Sequence, residues 1–410
     1  VNKSVVVAVT GGVVLGVLLA VGGFFLAQRL ARPQRGQQPL LEQTTTNAVP
    51  RANLAHNTEV SGVAPSLYGD TIAFFSSEEA LGMDLNGDGD LKDNILRSYD
   101  ARTSQLNSLD VQGVEPVLYR DQLIFHTSEG KAQADLNGDG DMKDTVIRFY
   151  DMTKHALSDT VLTGGFPAVD GDIVAFHTFE RWVDRDLNGD GDTEDMVIQC
   201  YNMNTHKLTN TGIEGARASI SGDVIAFHTF EFLSKQDVNG DGDAEDVVVR
   251  LYNVRTGKLS PTVWLGKYPA LAGQRLAFEA NEAALDRDVN GDGDTQDSVV
   301  RVYDLSTQTF DPIPLMGAFP ALDGRHLVYS AFEPQMEQDL NADGDQNDSI
   351  IQLYDLVTHR HTQTGMAGTS PSLYKNRIAF YTHESWVNQD LNGDGLIGDY
   401  VVQFYDLQDP

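Results

Sequence analysis

From about position 62 onward the chain is built of short apolar runs of four to eight residues, each closed off by Gly, Asp, Asn or Thr. In residues 62–111 these runs read PSLY, TIAFFSS, NILRSYD and QLNSLDV. β-Branched and aromatic residues dominate them and turn residues bound them, which is the pattern of strands. No segment of this region holds a 3.6-residue apolar period for ten residues, so a helical solenoid is excluded. Gly-Asp pairs at Gly69-Asp70, Gly171-Asp172 and Gly222-Asp223 predict tight hairpins between the first and second strands. A YDxxT turn, as at Tyr303 to Thr307, predicts the link from third to fourth. Between the second and third strands stands a ten-residue acidic stretch, DLNGDGDLKD at 84–93.

That stretch returns six more times. Its first aspartates are Asp84, Asp135, Asp186, Asp237, Asp288, Asp339 and Asp390, every step 51 residues. A fixed period of this length with four short strands per unit predicts an all-β fold, a seven-bladed β-propeller of four-stranded, 51-residue blades. Alternate loops of an up-and-down blade emerge on opposite faces, so all seven acidic loops should share one face. The seventh unit ends after YVVQFYDLQDP, without a fourth run. Stepping back one period from QLNSLDV lands on NLAHNTEV, and residues 53–60 are therefore expected to close the last blade, sparing the ring an open edge.

The loops concentrate hard oxygen donors at alternating positions. Asn86, Asn137, Asn188, Asn239, Asn290, Asn341 and Asn392 occupy position 3, and Asp88, Asp139, Asp190, Asp241, Asp292, Asp343 and Asp394 position 5. Asp90, Asp141, Asp192, Asp243, Asp294 and Asp345 stand at position 7, where the last loop has Leu396. Asp93, Asp144, Asp195, Asp246, Asp297, Asp348 and Asp399 close the loop at position 10. Calcium takes six to eight oxygens at about 2.3–2.6 Å, and such a loop can supply them, with a Gly at position 6 to reverse the chain. About seven Ca²⁺, one per blade, are the expected cofactors, and Leu396 implies that position 7 serves through its main-chain carbonyl. Position 4 is Gly six times and Ala342 once, so it is sterically looser than position 6. The opening, D-x-[DN]-x-[DN]-G, resembles an EF-hand loop. Closure by an Asp at position 10, with no Glu at position 12, resembles more the shorter calcium loops of FG-GAP propellers such as integrin α-subunits, and this resemblance implies a calcium-stabilised, extracellular propeller.

Charge agrees with bound cations. The chain carries 29 basic and 60 acidic residues, a net charge of −31. The first 60 residues hold five basic and two acidic groups, leaving −34 on the remainder. Such a field repels nucleic acid and anionic lipid. Cys200 stands alone, so no intrachain disulfide forms, and calcium is expected to supply the crosslinking in an extracellular, cell-surface setting.

Residues 5–27, VVVAVTGGVVLGVLLAVGGFFLA, are without charge. They predict a hydrophobic helix within 1–30 long enough to span a bilayer, and lack the small-x-small site of a cleaved signal peptide. Val1 fits either an alternative start or a processed terminus. Ala8, Gly12, Gly16 and Ala20 make a small-residue stripe suited to close helix packing. Arg29, Arg32 and Arg35 would, by the positive-inside rule, hold the propeller in the cytoplasm if the helix simply spans a membrane. A helix that moves from membrane to filament core escapes that conflict, and the helix-first layout resembles a type IV pilin, with Val5 where the family has Glu. Residues 31–51 read as an extended linker and 52–410 as the propeller domain.

Glu78, Glu129, Glu180, Glu231, Glu282, Glu333 and Glu384 each precede a loop by six residues, placed to bind the cation or to cap loop amides. Tyr99, Tyr150, Tyr201, Tyr252, Tyr303, Tyr354 and Tyr405 recur once per blade and are expected to pack between blades. His126, His177 and His228 share one register and read as ordinary polar groups. No nucleophile, base and orienting group combine into a catalytic set. The sequence therefore predicts a non-enzymatic, homo-oligomeric filament subunit. A membrane-anchored adhesion module recognising a glycan or protein is the alternative.

Overall fold

A computed structural model of the protein describes residues 55–158, 160–291, 293–312 and 315–407. The predicted helix and linker over 1–51, residues 53 and 54 of the predicted closing strand, and Asp292 lie outside them. Seven antiparallel sheets follow one another along the chain. Blade one is Val63–Tyr68, Thr71–Ser77, Asn94–Asp100 and Gln105–Gln112, hydrogen-bonded in that order. In two blades the outer strand is split, into Lys258–Leu259 with Trp264–Leu265 and Thr309–Phe310 with Leu315–Met316. Blade seven takes its outer strand from the other end of the described chain: His56–Ser61 runs antiparallel to Tyr400–Asp406, His56 opposite Phe404 and Ser61 opposite Val401. The first strands of successive blades adjoin one another, and the last, Thr369–Tyr374, adjoins the first, Val63–Tyr68. They ring the axis.

Each blade is sandwiched between two others, so its second strand is buried on both faces. Ile72, Ala73 and Phe74 are all fully buried, as are Val174, Ala175 and Phe176 two blades on. This explains why these strands read as continuous apolar runs. The repeated Phe ring lies against a repeated Gly just before the first strand: a Cβ on Gly62 would stand 2.4 Å from Phe74 Cδ2, and one on Gly164 2.3 Å from Phe176 Cδ2. Tyr99 packs with Val60, Leu67, Phe74, Ala379 and Phe404, bridging the first and last blades, and Cys200 is buried beside Ile225 and Phe227 of the next blade. Arg377 ties the closure on the opposite face, 2.6 Å from Asp406 and 2.8 Å from Asp70.

Two features are absent from the sequence reading. A single helical turn, Glu78–Leu81 in blade one, follows the second strand in six blades, too short to show a period. Every first strand also carries a β-bulge near its start, between Val63 and Ser66 in blade one and at equivalent places elsewhere.

Candidate metal loops and the axial mouth

The acidic loops all leave the second strand at the end where the first strand begins, Val63 lying opposite Phe75. They therefore surround the axial mouth of one face. Each loop is a chain of side-chain caps on its own amides. The position-1 aspartates Asp84, Asp135, Asp186, Asp237, Asp288, Asp339 and Asp390 accept from the N–H groups of positions 4 and 6, at 2.6 and 3.0 Å in blade one. Position 6 has φ of 90° to 109° and is always Gly, whereas position 4 relaxes to 66° at Ala342, inside the left-handed region other residues can enter. Position-5 carboxylates, among them Asp88, Asp139, Asp190, Asp241, Asp343 and Asp394, accept from the position-7 N–H and stay exposed.

The glutamate of the helical turn is the clamp. Glu129 is fully buried; its Oε1 accepts from Leu136 N–H at 2.6 Å and Asn137 N–H at 3.2 Å, and its Oε2 from Asp144 N–H at 3.2 Å. Glu78 and Glu384 repeat the arrangement. Of the two roles open to these glutamates, amide capping is in place.

Position 10 is the inner wall. Asp93, Asp144, Asp195, Asp297 and Asp348 are buried, Asp246 and Asp399 half-buried. Each accepts from the position-3 amide: Asn137 Nδ2 lies 2.7 Å from Asp144 Oδ2, and Asn86, Asn188, Asn239, Asn290, Asn341 and Asn392 do the same in their blades. Burial, with the position-5 carboxylate beside it, pushes Asp144 up to about 7 and Asp348 up to about 8; burial likewise takes Asp93 and Asp195 to about 6. In five blades the clamp, position 7 and position 10 bring carboxylate oxygens within 4.8 Å of one another: Glu78, Asp90 and Asp93; Glu129, Asp141 and Asp144; Glu180, Asp192 and Asp195; Glu231, Asp243 and Asp246; Glu333, Asp345 and Asp348. Position 7 thus contributes its carboxylate to the cluster, beyond the main-chain role read from Leu396. Leu396 itself is exposed in blade seven. In blade five Asp294 and Asp297 hold the same sequence positions beside Asp292, which is outside the described residues. Asp144 Oδ1 and Asp195 Oδ1 are buried without a hydrogen-bond partner.

A second set of side chains at the mouth was not singled out from the sequence. The bulged residues Ala64, Glu115, Phe166, Arg217, Tyr268, Phe319 and Ser370 share one register, all with φ between 49° and 52°. Arg217 places its guanidinium carbon 3.8 Å from the Phe166 ring centre and 5.6 Å from that of Tyr268, and Tyr268 lies 5.5 Å from Phe319. Phe166 stacks on His177 at 5.4 Å. His126 Nδ1 accepts from Phe166 N–H, and His228 Nδ1 from Tyr268 N–H. Burial and the Arg217 charge push His126, His177 and His228 down to about 3, so they stand neutral. The signal in the sequence is the residue two after a Gly that recurs in every blade, followed by Pro in all blades but the fourth, where Ala218 stands: it is Ala, Glu, Phe, Arg, Tyr, Phe and Ser in turn.

No protein-family model matches the chain, and no curated protein matches it. Solved structures do. It is similar to the β-propeller domain of the Trilobed protease from Pyrococcus furiosus, at 9% identity over 87% of this chain and 97% of that one, TM-score 0.51. The acylaminoacyl peptidase of Pyrococcus horikoshii matches at 10% identity over 81% of this chain and 49% of that one, TM-score 0.50. An oligogalacturonate lyase from Vibrio parahaemolyticus matches at 10% identity, 87% and 91% coverage, TM-score 0.48. At these identities the likeness is one of fold. The chain is a seven-bladed β-propeller. Among the described residues no helix is long and apolar enough to cross a membrane, and the apolar run 5–27 lies outside them.

Proposed function

We propose that this protein is an extracellular structural protein without enzymatic activity: a calcium-stabilised propeller that is the subunit of a cell-surface filament, assembled through its N-terminal apolar segment. The observation that carries the calcium reading is the pair of buried, partnerless oxygens, Asp144 Oδ1 and Asp195 Oδ1, each inside a cluster of three carboxylates. A buried anion without a donor is costly, and a hard cation relieves both the missing partner and the mutual repulsion. Residues of positions 1, 3, 5, 7 and 10 would hold it, with the glutamate clamp keeping the loop in shape. Calcium would supply electrostatic crosslinking between second and third strands.

The filament reading rests on the sequence alone: the uncharged run 5–27, its small-residue stripe, and the arginines that fit poorly with a simple membrane anchor. Elemental analysis is expected to find calcium at about one ion per loop. Electron microscopy in millimolar Ca²⁺ is expected to show regular fibres, which Gly12→Leu with Gly16→Leu shortens or abolishes while the propeller stays folded. Metal-free protein, or detergent-bound monomers that never form fibres, would sink the respective halves of the proposal. A second reading, a membrane-anchored module that binds a glycan or protein, is favoured by one observation, the seven bulged positions at the axial mouth, which carry six different residue types.

A further inference from the structure

A propeller grown from one repeated unit has no need to vary a position that only holds blades together. The framework around the bulge hardly varies: Gly at 62, 113, 164, 215, 266, 317 and 368, and an aromatic ring packed on each. The bulged residue between them does vary: three blades carry an aromatic ring, Phe166, Tyr268 and Phe319, and the other four carry Ala64, Glu115, Arg217 and Ser370. Each adopts a left-handed conformation that L-residues enter at a cost of about 1 kcal/mol or more, yet none is Gly. Bulges re-aim side chains and recur beside functional sites. Here seven of them line one mouth.

The ring has two unlike halves. Blades three to six contribute Phe166, Arg217, Tyr268 and Phe319, a continuous arc in which the guanidinium lies on one aromatic face and near another. Blades seven, one and two contribute Ser370, Ala64 and Glu115, small or polar, with Ser370 Oγ 3.3 Å from Tyr381 Oη. Among the described residues neither Arg217 nor Glu115 has an oppositely charged side chain within 4 Å or a side-chain hydrogen bond, and the two act on each other only through space, the Arg217 charge partly offsetting the upward push of burial on Glu115. The neighbouring Lys267 is already held 3.2 Å from Glu279. Beneath the arc His177 is 4% exposed, and its Nδ1 has no partner.

We infer that the axial mouth is a binding site for a uronic-acid sugar, its carboxylate on Arg217, the C–H face of its ring on Tyr268 and Phe319, and its hydroxyls toward Ser370 and Glu115. A guanidinium stacked on an aromatic ring keeps its N–H edge free and pre-oriented for a carboxylate. The surrounding acidic loops disfavour polyanions such as nucleic acid or polyphosphate. Arg217 disfavours cations. A neutral sugar would leave the guanidinium half-buried and unpaired. The inference rests on the binding-module reading, and its test uses neither fibres nor calcium counts, so either can fail alone.

The full chain, calcium-loaded, is titrated by calorimetry with sodium D-glucuronate, D-galacturonate and D-mannuronate, and with D-glucose as the neutral control. At least one uronate is expected to saturate, with glucose roughly tenfold weaker or worse. Arg217→Gln is expected to lower uronate affinity roughly tenfold or more with the melting temperature unchanged. Glu115→Gln removes a like charge but keeps an acceptor, and is expected to raise uronate affinity. Opposite signs at two positions separate a ligand site from a merely structural ring. No saturation by any uronate, equal binding of glucose, or affinity indifferent to Arg217→Gln would overturn the inference.

Discussion

Glu129 shows what one carboxylate does for a loop. It accepts three amide hydrogens that would otherwise be orphaned at a buried chain reversal. Glu129→Gln puts an NH₂ group against one of those donors, so a loss of about 1–3 kcal/mol is expected with or without calcium, read from the urea midpoint. The position-10 aspartates make the metal-free protein pH-sensitive. Asp144 and Asp348, held up to about 7 and about 8 by burial, keep protons in the fold that the unfolded chain releases from about pH 4 upward. Their contribution is complete below that value and is lost as pH rises to about 8. The buried histidines act the other way: the unfolded chain takes up protons below about pH 6.5 that the fold refuses, so stability is lost in acid. Between about 4 and 6.5 the slopes oppose, and above that range the carboxylates act alone. The melting temperature in chelator is therefore expected to fall from about pH 6.5 to 8, and calcium is expected to remove that limb. Identical profiles with and without chelator would count against metal in the loops.

At the scale of elements, the second and third strands were the most legible, because the middle of the second is buried on both faces and reads as an apolar run, and the third repeats a buried apolar pair before an Arg or Gln in every blade. The outer strand was the least legible. It faces solvent on one side, and blades four and five split it. The closing strand is held by specific contacts: Thr58 Oγ1 donates to Val402 C=O at 2.6 Å, Asn57 Nδ2 to Leu391 C=O at 2.7 Å, and His56 stacks on Phe404 at 4.8 Å. Removing residues 1–61 would leave Tyr400–Asp406 as a bare edge. The truncated protein is expected to melt lower and to associate, as light scattering would record. Unchanged melting would mean that the strand contributes nothing to closure.

For the whole molecule, the excess of acidic residues is gathered on the loops of one face. Self-repulsion there opposes compaction, so chelation is expected to lower the melting temperature markedly and added Ca²⁺ to restore it. Salt screens charges several ångströms apart but cannot donate to a buried oxygen. Sodium chloride is accordingly expected to recover only part of the loss, and full recovery by salt alone would show that the loops need no ligated ion.

The 51-residue period and the solvent exposure it imposes on every blade alike were determined by the sequence: a repeated pattern of apolar runs and turn residues has few ways to bury itself other than around an axis. The oxygen donors of the loops were legible for the same reason, since their spacing is local. Tertiary structure alone decided what lies at the axis. Glu115, Phe166, Arg217 and Tyr268 are about one period apart along the chain, each unremarkable in its own blade, and the signal in them is a difference between repeats that search for similarity passes over. Only closure of the ring brings them to one mouth, and only the bulge in each first strand turns their side chains toward one another. Backbone conformation at a single residue and contacts across blades are set by packing, which no window of sequence contains.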